Sequence, residues 1–115
     1  MSFDLAFWHA ADDIDVAHAA EIYNRLLEEE SGLVPDVPAV ETFREQVVAV
    51  YPDLTSDEDL ETCPWTAELF TGPGFLVACI SWKRSAEVAS TLVALAKRNG
   101  LICYDPQAGR VIRPE

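Results

Sequence analysis

The stretch FLVACISW, residues 75–82, constrains the fold of this chain most strongly, because seven of its eight residues are apolar. A continuous apolar run of this length is too short for a buried helix and is typical of a strand covered on both faces. The turn sequence Thr71-Gly72-Pro73-Gly74 precedes it, so we expect a hairpin. The run therefore predicts a central strand with other elements packed on both of its sides.

The other elements follow from apolar periodicity, from possible helix caps and from Pro38 in the first turn of a helix. The candidate caps are Asp12, Asp13 or Asp15 for the first helix and Ser85 for the third. The predicted elements are strands over residues 3–8, 65–70, 75–82, 101–104 and 110–113, and helices over 16–30, 38–50 and 85–99. Together they predict one α+β domain over residues 1–115. If the first two helices form one crossover, the order is a ferredoxin-like β-α-(α)-β-β-α-β sandwich with an extra C-terminal edge strand. Right-handed crossovers then give the strand order 4-1-3-2, and another α+β sandwich with its helices on one face is the alternative.

The net charge of −12 is unevenly distributed along the chain. In residues 1–82, 17 carboxylates accompany Arg25 and Arg44, a balance of −15. This acidity argues against nucleic acid as a partner, because nucleic-acid binders need a cationic surface. On composition alone, the acidity favours simple solubility over attraction of a basic protein partner.

The sequence predicts a cytoplasmic protein. Its three cysteines, Cys63, Cys79 and Cys103, are odd in number and lack CxxC spacing, which suits reduced thiols. No apolar run approaches the ~18 residues that a membrane helix needs, and no basic, signal-like segment is found at the N-terminus.

We expect the three tryptophans to gather at one end of the sheet, together with the acidic stretch YPDLTSDEDLETCPW, residues 51–65. Tryptophans are enriched at binding hot spots, although they are also common core residues. The candidate partner-binding residues are Trp8, His9, Asp53, Asp57, Glu58, Asp59, Glu61, Trp65 and Trp82.

One face of the predicted sheet is too apolar to stand in water if Phe70 pairs with Phe75. Its candidate residues are Phe70, Phe75 and Val77. The second helix, the last strand or a second subunit could cover it, so a homodimer through this face is one hypothesis.

No sequence motif predicts a metal, a cofactor or a catalytic residue. Asp57, Asp59 and Glu61 have the alternate spacing of a calcium loop, but Thr62 stands where the turning glycine is needed. The chain lacks HxH and HExxH metal spacings, GxSxG, and a glycine-rich phosphate loop between strand and helix. Gly74-Phe75 suggests RNA-recognition domains only faintly, and the charge has the wrong sign for RNA.

The two ends of the chain, MSFDLAFW at residues 1–8 and GLICYDPQ at residues 100–107, carry a family resemblance. They are similar to those of a group of small uncharacterised bacterial proteins with a variable acidic middle. The resemblance covers about a quarter of the chain and implies a bacterial origin. No established activity comes with it.

These observations favour a non-catalytic cytoplasmic protein that binds another protein. Its most specific form is a neutraliser of a basic toxin, in the manner of immunity proteins. The alternative is a small enzyme or ligand-binding protein whose pocket contains His9, Trp65, Trp82 and residues of the acidic stretch.

Overall fold

The computed structural model describes residues 2–10, 14–30, 32–51, 64–67 and 69–114. These residues form an α+β structure, which confirms the predicted class. Its elements are β1 (Ser2–Trp8), α1 (Val16–Leu27), α2 (Pro38–Val50), β2 (Phe70–Gly72), β3 (Phe75–Ser81), a 3₁₀ turn (Trp82–Arg84), α3 (Ser85–Arg98), β4 (Ile102–Asp105) and β5 (Arg110–Ile112). Within the described residues, every helix is too short or too polar to cross a membrane.

The five strands form one sheet in the order β2-β3-β1-β4-β5, and every neighbouring pair is antiparallel. β1 lies in the middle, with Phe7 opposite Leu76 of β3 and Cys103 of β4. β3 is an internal strand, and most of its residues are buried. The apolar run is therefore an internal, covered strand as predicted, but the central strand of the sheet is β1.

Helices cover both faces of the sheet. Leu5 and Phe7 of β1 belong to the apolar cluster that includes Phe43 of α2 and Leu92 of α3. The alternate β1 residues Ala6 and Trp8 belong to a second cluster, which contains Ile22, Tyr23 and Leu26 of α1. Because successive side chains of a strand point to opposite faces, α1 packs on one face, and α2 and α3 pack on the other.

The apolar face is covered by α1, whereas the sequence analysis named the second helix, the last strand or a second subunit as its cover. Phe75 and Val77 are only 6% and 2% exposed, and Phe70 packs against the same cluster. The reason for assigning Phe70, Phe75 and Val77 to a homodimer interface therefore disappears.

The hairpin register also differs from the expected one. Gly72 lies opposite Phe75 and Phe70 opposite Val77, so the turn contains only Pro73 and Gly74. Phe70 and Phe75 are not a cross-strand pair, although their rings touch edge to face with centroids 5.3 Å apart. Of the predicted strand over 65–70, only Phe70 lies in β2, which continues into the predicted turn as far as Gly72. Trp65 makes an isolated bridge to Ile80.

Helix starts follow the sequence at two of three places. The Asp15 carboxylate caps α1 by accepting a hydrogen bond from the His18 N–H at 2.7 Å, and Pro38 opens α2 as predicted. Ser85 is not the cap of α3 but its first residue, after Arg84. Its hydroxyl donates to the Trp82 carbonyl oxygen at 3.0 Å, which joins the 3₁₀ turn to α3.

A Pro35–Gly74 contact fixes the connector between α1 and α2 against the hairpin. Gly74 has φ +85°, and a side chain there would overlap the carbonyl oxygen of Pro35. Glycine is therefore required at this turn both for its left-handed conformation and for the close approach of a second backbone segment.

Candidate functional site

The three tryptophans do not gather at one end of the sheet. Because β1 and β3 are antiparallel, Trp8 lies opposite Phe75, while Ser2 lies opposite Ser81, the residue before Trp82. The six-residue advance from Ser2 to Trp8 corresponds to about 20 Å of strand. Trp8 and the half-buried His9 are therefore at the end of the sheet opposite Trp82.

The two other tryptophans do share an end. Trp65 bridges to Ile80, close to the start of the 3₁₀ turn at Trp82. Trp65 is only 1% exposed, and its indole N–H donates to the Tyr51 carbonyl oxygen at 3.3 Å. Trp82 is 47% exposed, and its ring contacts Phe3 edge to face at 5.3 Å between centroids. We call the region formed by Phe3, Tyr51, Trp65 and Trp82 the Trp82 end.

Both flanks of the acidic stretch are attached to the Trp82 end. On one side, the rings of Tyr51 and Trp65 pack edge to face with centroids 6.0 Å apart. On the other, the Ser81 N–H donates to the Pro64 carbonyl oxygen at 2.7 Å, and the Thr66 N–H donates to the Cys79 carbonyl oxygen at 2.9 Å. Tyr51 and Pro64, the residues that flank positions 52–63, therefore lie at the same end of the sheet.

Five of the candidate partner-binding residues lie outside the described residues. They are Asp53, Asp57, Glu58, Asp59 and Glu61.

Two basic side chains also lie near the Trp82 end. The Arg84 guanidinium carbon is 5.7 Å from the centre of the Tyr51 ring, a cation–π distance. Arg84 also contacts the Glu87 carboxylate at 3.2 Å. Lys83, beside it in the 3₁₀ turn, is exposed. The described part of this end therefore combines an exposed indole with two cations, close to the flanks of an acidic segment.

The pocket suggested for the enzyme alternative does not form. His9 follows Trp8 at one end of β1, while Trp65 and Trp82 are at the other end. Cys63 lies outside the described residues. Within the described part of the chain, no group of three or more His, Cys, Asp or Glu side chains is arranged to hold a metal ion.

The two described thiols are poorly suited to nucleophilic chemistry. Burial, followed by the proximity of Asp4, raises the pKa of Cys79 to about 11. Burial raises the pKa of Cys103 to about 12. At neutral pH both remain protonated, whereas the thiolate is the reactive form of cysteine.

The sequence analysis missed a groove beside the β2–β3 hairpin. Its cavity has a volume of about 360 Å³, within the range of small-ligand sites. The groove is lined by the end of α1, the connector that follows it and the hairpin, including Leu26, Leu33, Val34, Phe70 and Phe75. The sequence presented the connector and the turn as separate loops, and the Pro35–Gly74 contact brings them together.

A second depression, of about 390 Å³, lies between α3 and the β5 edge, lined by Phe3, Val93, Lys97, Arg110 and Ile112 among others. The nearby Asp105 carboxylate lies 3.8 Å from the Arg110 guanidinium nitrogen and so partly neutralises it. This depression lacks a concentrated charge that would select a ligand.

Comparison of the chain with protein-family models, curated proteins and solved structures gives no match. The family resemblance of the two chain ends therefore stays a prediction.

Proposed function

We propose that the protein is a non-catalytic binding module for another protein, and that the Trp82 end contacts the partner. The observation that carries this proposal is the position of Trp82, 47% exposed beside the flanks of the acidic segment. Tryptophan supplies a large apolar contact at low entropic cost, and it is among the commonest hot-spot residues.

The charge of the chain favours a basic partner. Residues 52–63, whose flanking residues Tyr51 and Pro64 lie at the Trp82 end, contain five carboxylates of the candidate set. These are Asp53, Asp57, Glu58, Asp59 and Glu61. Carboxylates around an aromatic anchor raise the association rate of a cationic protein and orient it. Neutralisation of a basic toxin, in the manner of immunity proteins, is the most specific form of this proposal.

Peptide selection tests the proposal while the partner is still unidentified. A displayed library of random twelve-residue peptides is selected on the wild-type protein, and the affinities of the enriched peptides are measured. We expect enrichment in Lys and Arg, at least about tenfold weaker binding to Trp82→Ala, and affinity that falls as salt increases. Leu27→Ala is the matched control, because Leu27 is an equally exposed apolar residue, at 46%, on α1. Peptides that bind Trp82→Ala as tightly as wild type, or whose affinity ignores salt, would contradict the proposal.

We also infer a ferredoxin-like core for the fold. The order β4-β1-β3-β2, read from one side of the sheet, supports it, as does the packing of α2 and α3 on the same face. In this interpretation α1 is an addition that covers the opposite face, and β5 extends the edge beyond β4. Because Cys79 and Cys103 are free thiols, a reducing compartment such as the cytoplasm suits the chain.

A further inference from the structure

The outer edge of β2 offers backbone hydrogen-bonding groups to another strand. Among the strands that the structure describes, β2 is at the edge of the sheet and pairs with β3 alone. Gly72 and Phe75 flank a two-residue turn and form a hydrogen-bonded pair, so hydrogen-bonded and non-hydrogen-bonded pairs alternate from there. Thr71, opposite Leu76, is in a non-hydrogen-bonded pair, and its N–H and C=O therefore point away from β3.

Depressions lie on both sides of this edge. On the α1 side is the apolar groove floored by Phe70 and Phe75 and walled by Leu33 and Val34. On the α2 side, Thr71 and Gly72 line a depression of about 370 Å³ with Val40, Glu41 and Arg44. The side chains of an added strand alternate between the two faces, so every second residue would enter the apolar groove.

The rim of the apolar groove is acidic. Glu29, Glu30 and Asp36 line it, and Arg25 neutralises Glu30 through contacts of 2.8 and 3.2 Å. The carboxylates of Glu29 and Asp36 remain exposed to a ligand. On the α2 side, Glu41 accompanies Arg44, so that side has no net charge. The groove therefore selects a cationic occupant.

From this geometry we propose that β2 is a docking site for an extended, basic protein segment. The segment adds to the sheet as an antiparallel or parallel strand, exchanging hydrogen bonds with the Thr71 N–H and C=O. Its alternate apolar side chains fill the groove, and its Lys or Arg side chains contact Glu29 and Asp36. A second copy of this chain is disfavoured as the occupant, because two copies would bring the same carboxylates together.

This site is independent of the Trp82 end. β2 pairs with the start of β3, whereas Trp82 follows the end of β3, so the two surfaces are at opposite ends of that strand. Failure of one proposal leaves the other unaffected, because Trp82→Ala and changes at Thr71 probe separate surfaces.

The test uses two synthetic probes, the capped heptapeptide Lys-Val-Lys-Val-Lys-Val-Lys and its counterpart with Glu in place of Lys. Each is titrated into ¹⁵N-labelled protein and followed by NMR. We expect the lysine peptide to give saturable shifts concentrated at Thr71, Gly72 and Phe75, and to slow hydrogen exchange of the Thr71 N–H. The glutamate peptide should not bind in the same concentration range.

Variants at one position separate the backbone contact from the side chain. Thr71→Pro removes the outward N–H while leaving the β2–β3 hydrogen bonds intact, and proline is tolerated on such edges. Thr71→Pro should lower the affinity for the lysine peptide at least about tenfold, whereas Thr71→Val should bind this peptide like wild type. Asp36→Lys should also lower the affinity for the lysine peptide, because it replaces a carboxylate of the groove rim with a cation and leaves β2 unchanged.

The following outcomes would overturn the proposal: no saturable binding of the lysine peptide up to millimolar concentration, shifts spread over the acidic surface, or equal binding of the glutamate peptide. A folded Thr71→Pro protein that binds like wild type would do the same. So would concentration-dependent dimerisation through β2 in sedimentation experiments.

Discussion

The side-chain amide of Gln107 completes the hydrogen-bond ladder of β1 at Asp4. The Asp4 N–H donates to Gln107 Oε1 at 2.6 Å, and Gln107 Nε2 donates to the Asp4 carbonyl oxygen at 2.8 Å. Continuing the β1–β4 register from Ala6 and Tyr104 would place Pro106 opposite Asp4. Proline has no N–H to donate, so the amide of the next residue replaces the missing peptide group.

Asp105 holds Gln107 in this position. Its buried carboxylate oxygen Oδ1 accepts from the Gln107 N–H at 3.0 Å, from Gln107 Nε2 at 2.7 Å and from the Ala108 N–H at 3.2 Å. The segments that carry the family resemblance, at the two ends of the sequence, are therefore neighbours in the sheet. The DPQ sequence has a structural explanation, which is to continue a strand past a proline.

Replacement of Gln107 by Met should lower the free energy of unfolding by about 1–2 kcal/mol, because two hydrogen bonds to the β1 backbone are lost. Urea denaturation measures the change. Gln46→Met is the matched control, since the exposed Gln46 makes one side-chain hydrogen bond, to Asn99. We expect it to change stability by less than about 0.5 kcal/mol. Equal effects of the two variants would contradict the role given to Gln107.

Gly74→Ala should destabilise the protein by more than about 2 kcal/mol, because it adds an overlap with the Pro35 carbonyl to an unfavourable positive φ. Gly109→Ala is the control. Gly109 also has a positive φ, +62°, but an added Cβ there would contact nothing within 4 Å. Gly109→Ala should therefore lower the free energy of unfolding only by the backbone strain, about 1 kcal/mol. Thermal or urea unfolding of both variants separates the steric overlap with Pro35 from the backbone strain. An identical loss of unfolding free energy in the two variants would argue against the Pro35 contact.

Acrylamide should quench one class of tryptophan fluorescence strongly, because Trp82 is 47% exposed while Trp8 and Trp65 are each 1% exposed. The accessible class should disappear in Trp82→Phe and persist in Trp8→Phe, after circular dichroism has shown that both variants are folded. A peptide bound at the Trp82 end should protect the accessible class. Strong quenching that survives in Trp82→Phe would show that a second indole is exposed in solution.

Stability should fall as pH rises above about 9. Burial raises the pKa of Cys103 to about 12 from an ordinary value of 9.0, so the folded state holds its proton more tightly than the unfolded state. The protonated thiol favours folding, and this contribution is complete below the unfolded pKa and is lost as pH rises through the folded pKa. Cys79 and Tyr23, with pKa values raised to about 11 and about 12, act in the same direction.

Urea denaturation between pH 8 and about pH 10.5 tests this pH dependence. Cys103→Ala should give a shallower decline than wild type, because one of the groups that releases a proton on unfolding is absent. In a Cys63→Ser background, thiol-labelling reagents at pH 8 should react with the unfolded protein far faster than with the folded one. Rapid labelling of folded Cys103 would contradict its burial.

The sequence predicted the elements better than their placement in space. The run from Phe75 to Trp82 predicted an internal strand because few alternatives can bury so many consecutive apolar residues. The stripe of α1 predicted a helix, but no local pattern states which face of a sheet a helix covers. Since β3 is apolar on both faces, its sequence is compatible with α1 on either face of the sheet. The placement of α1 opposite α2 depends on long-range packing.

The candidate site was harder to predict, because it depends on strand direction and register. The tryptophan cluster required Trp8 and Trp82 to be at the same end of the sheet, and the antiparallel pairing of β1 with β3 separates them. The sequence did place Trp65 at the same end of β3 as Trp82, and there it forms a bridge to Ile80. The β2 groove combines segments whose proximity depends on the Pro35–Gly74 contact, for which the sequence provides only a glycine.

The position of β1 between β3 and β4 has a consequence for synthesis on the ribosome. β1 precedes its partners in the chain, so Trp8 emerges long before Phe75 and longer still before Ile102. Until β4 has left the exit tunnel, a nascent chain exposes at least one unpaired edge of an apolar strand, which favours association with other chains. The vulnerable period of this protein is therefore the interval of translation, before its middle strand has gained both neighbours.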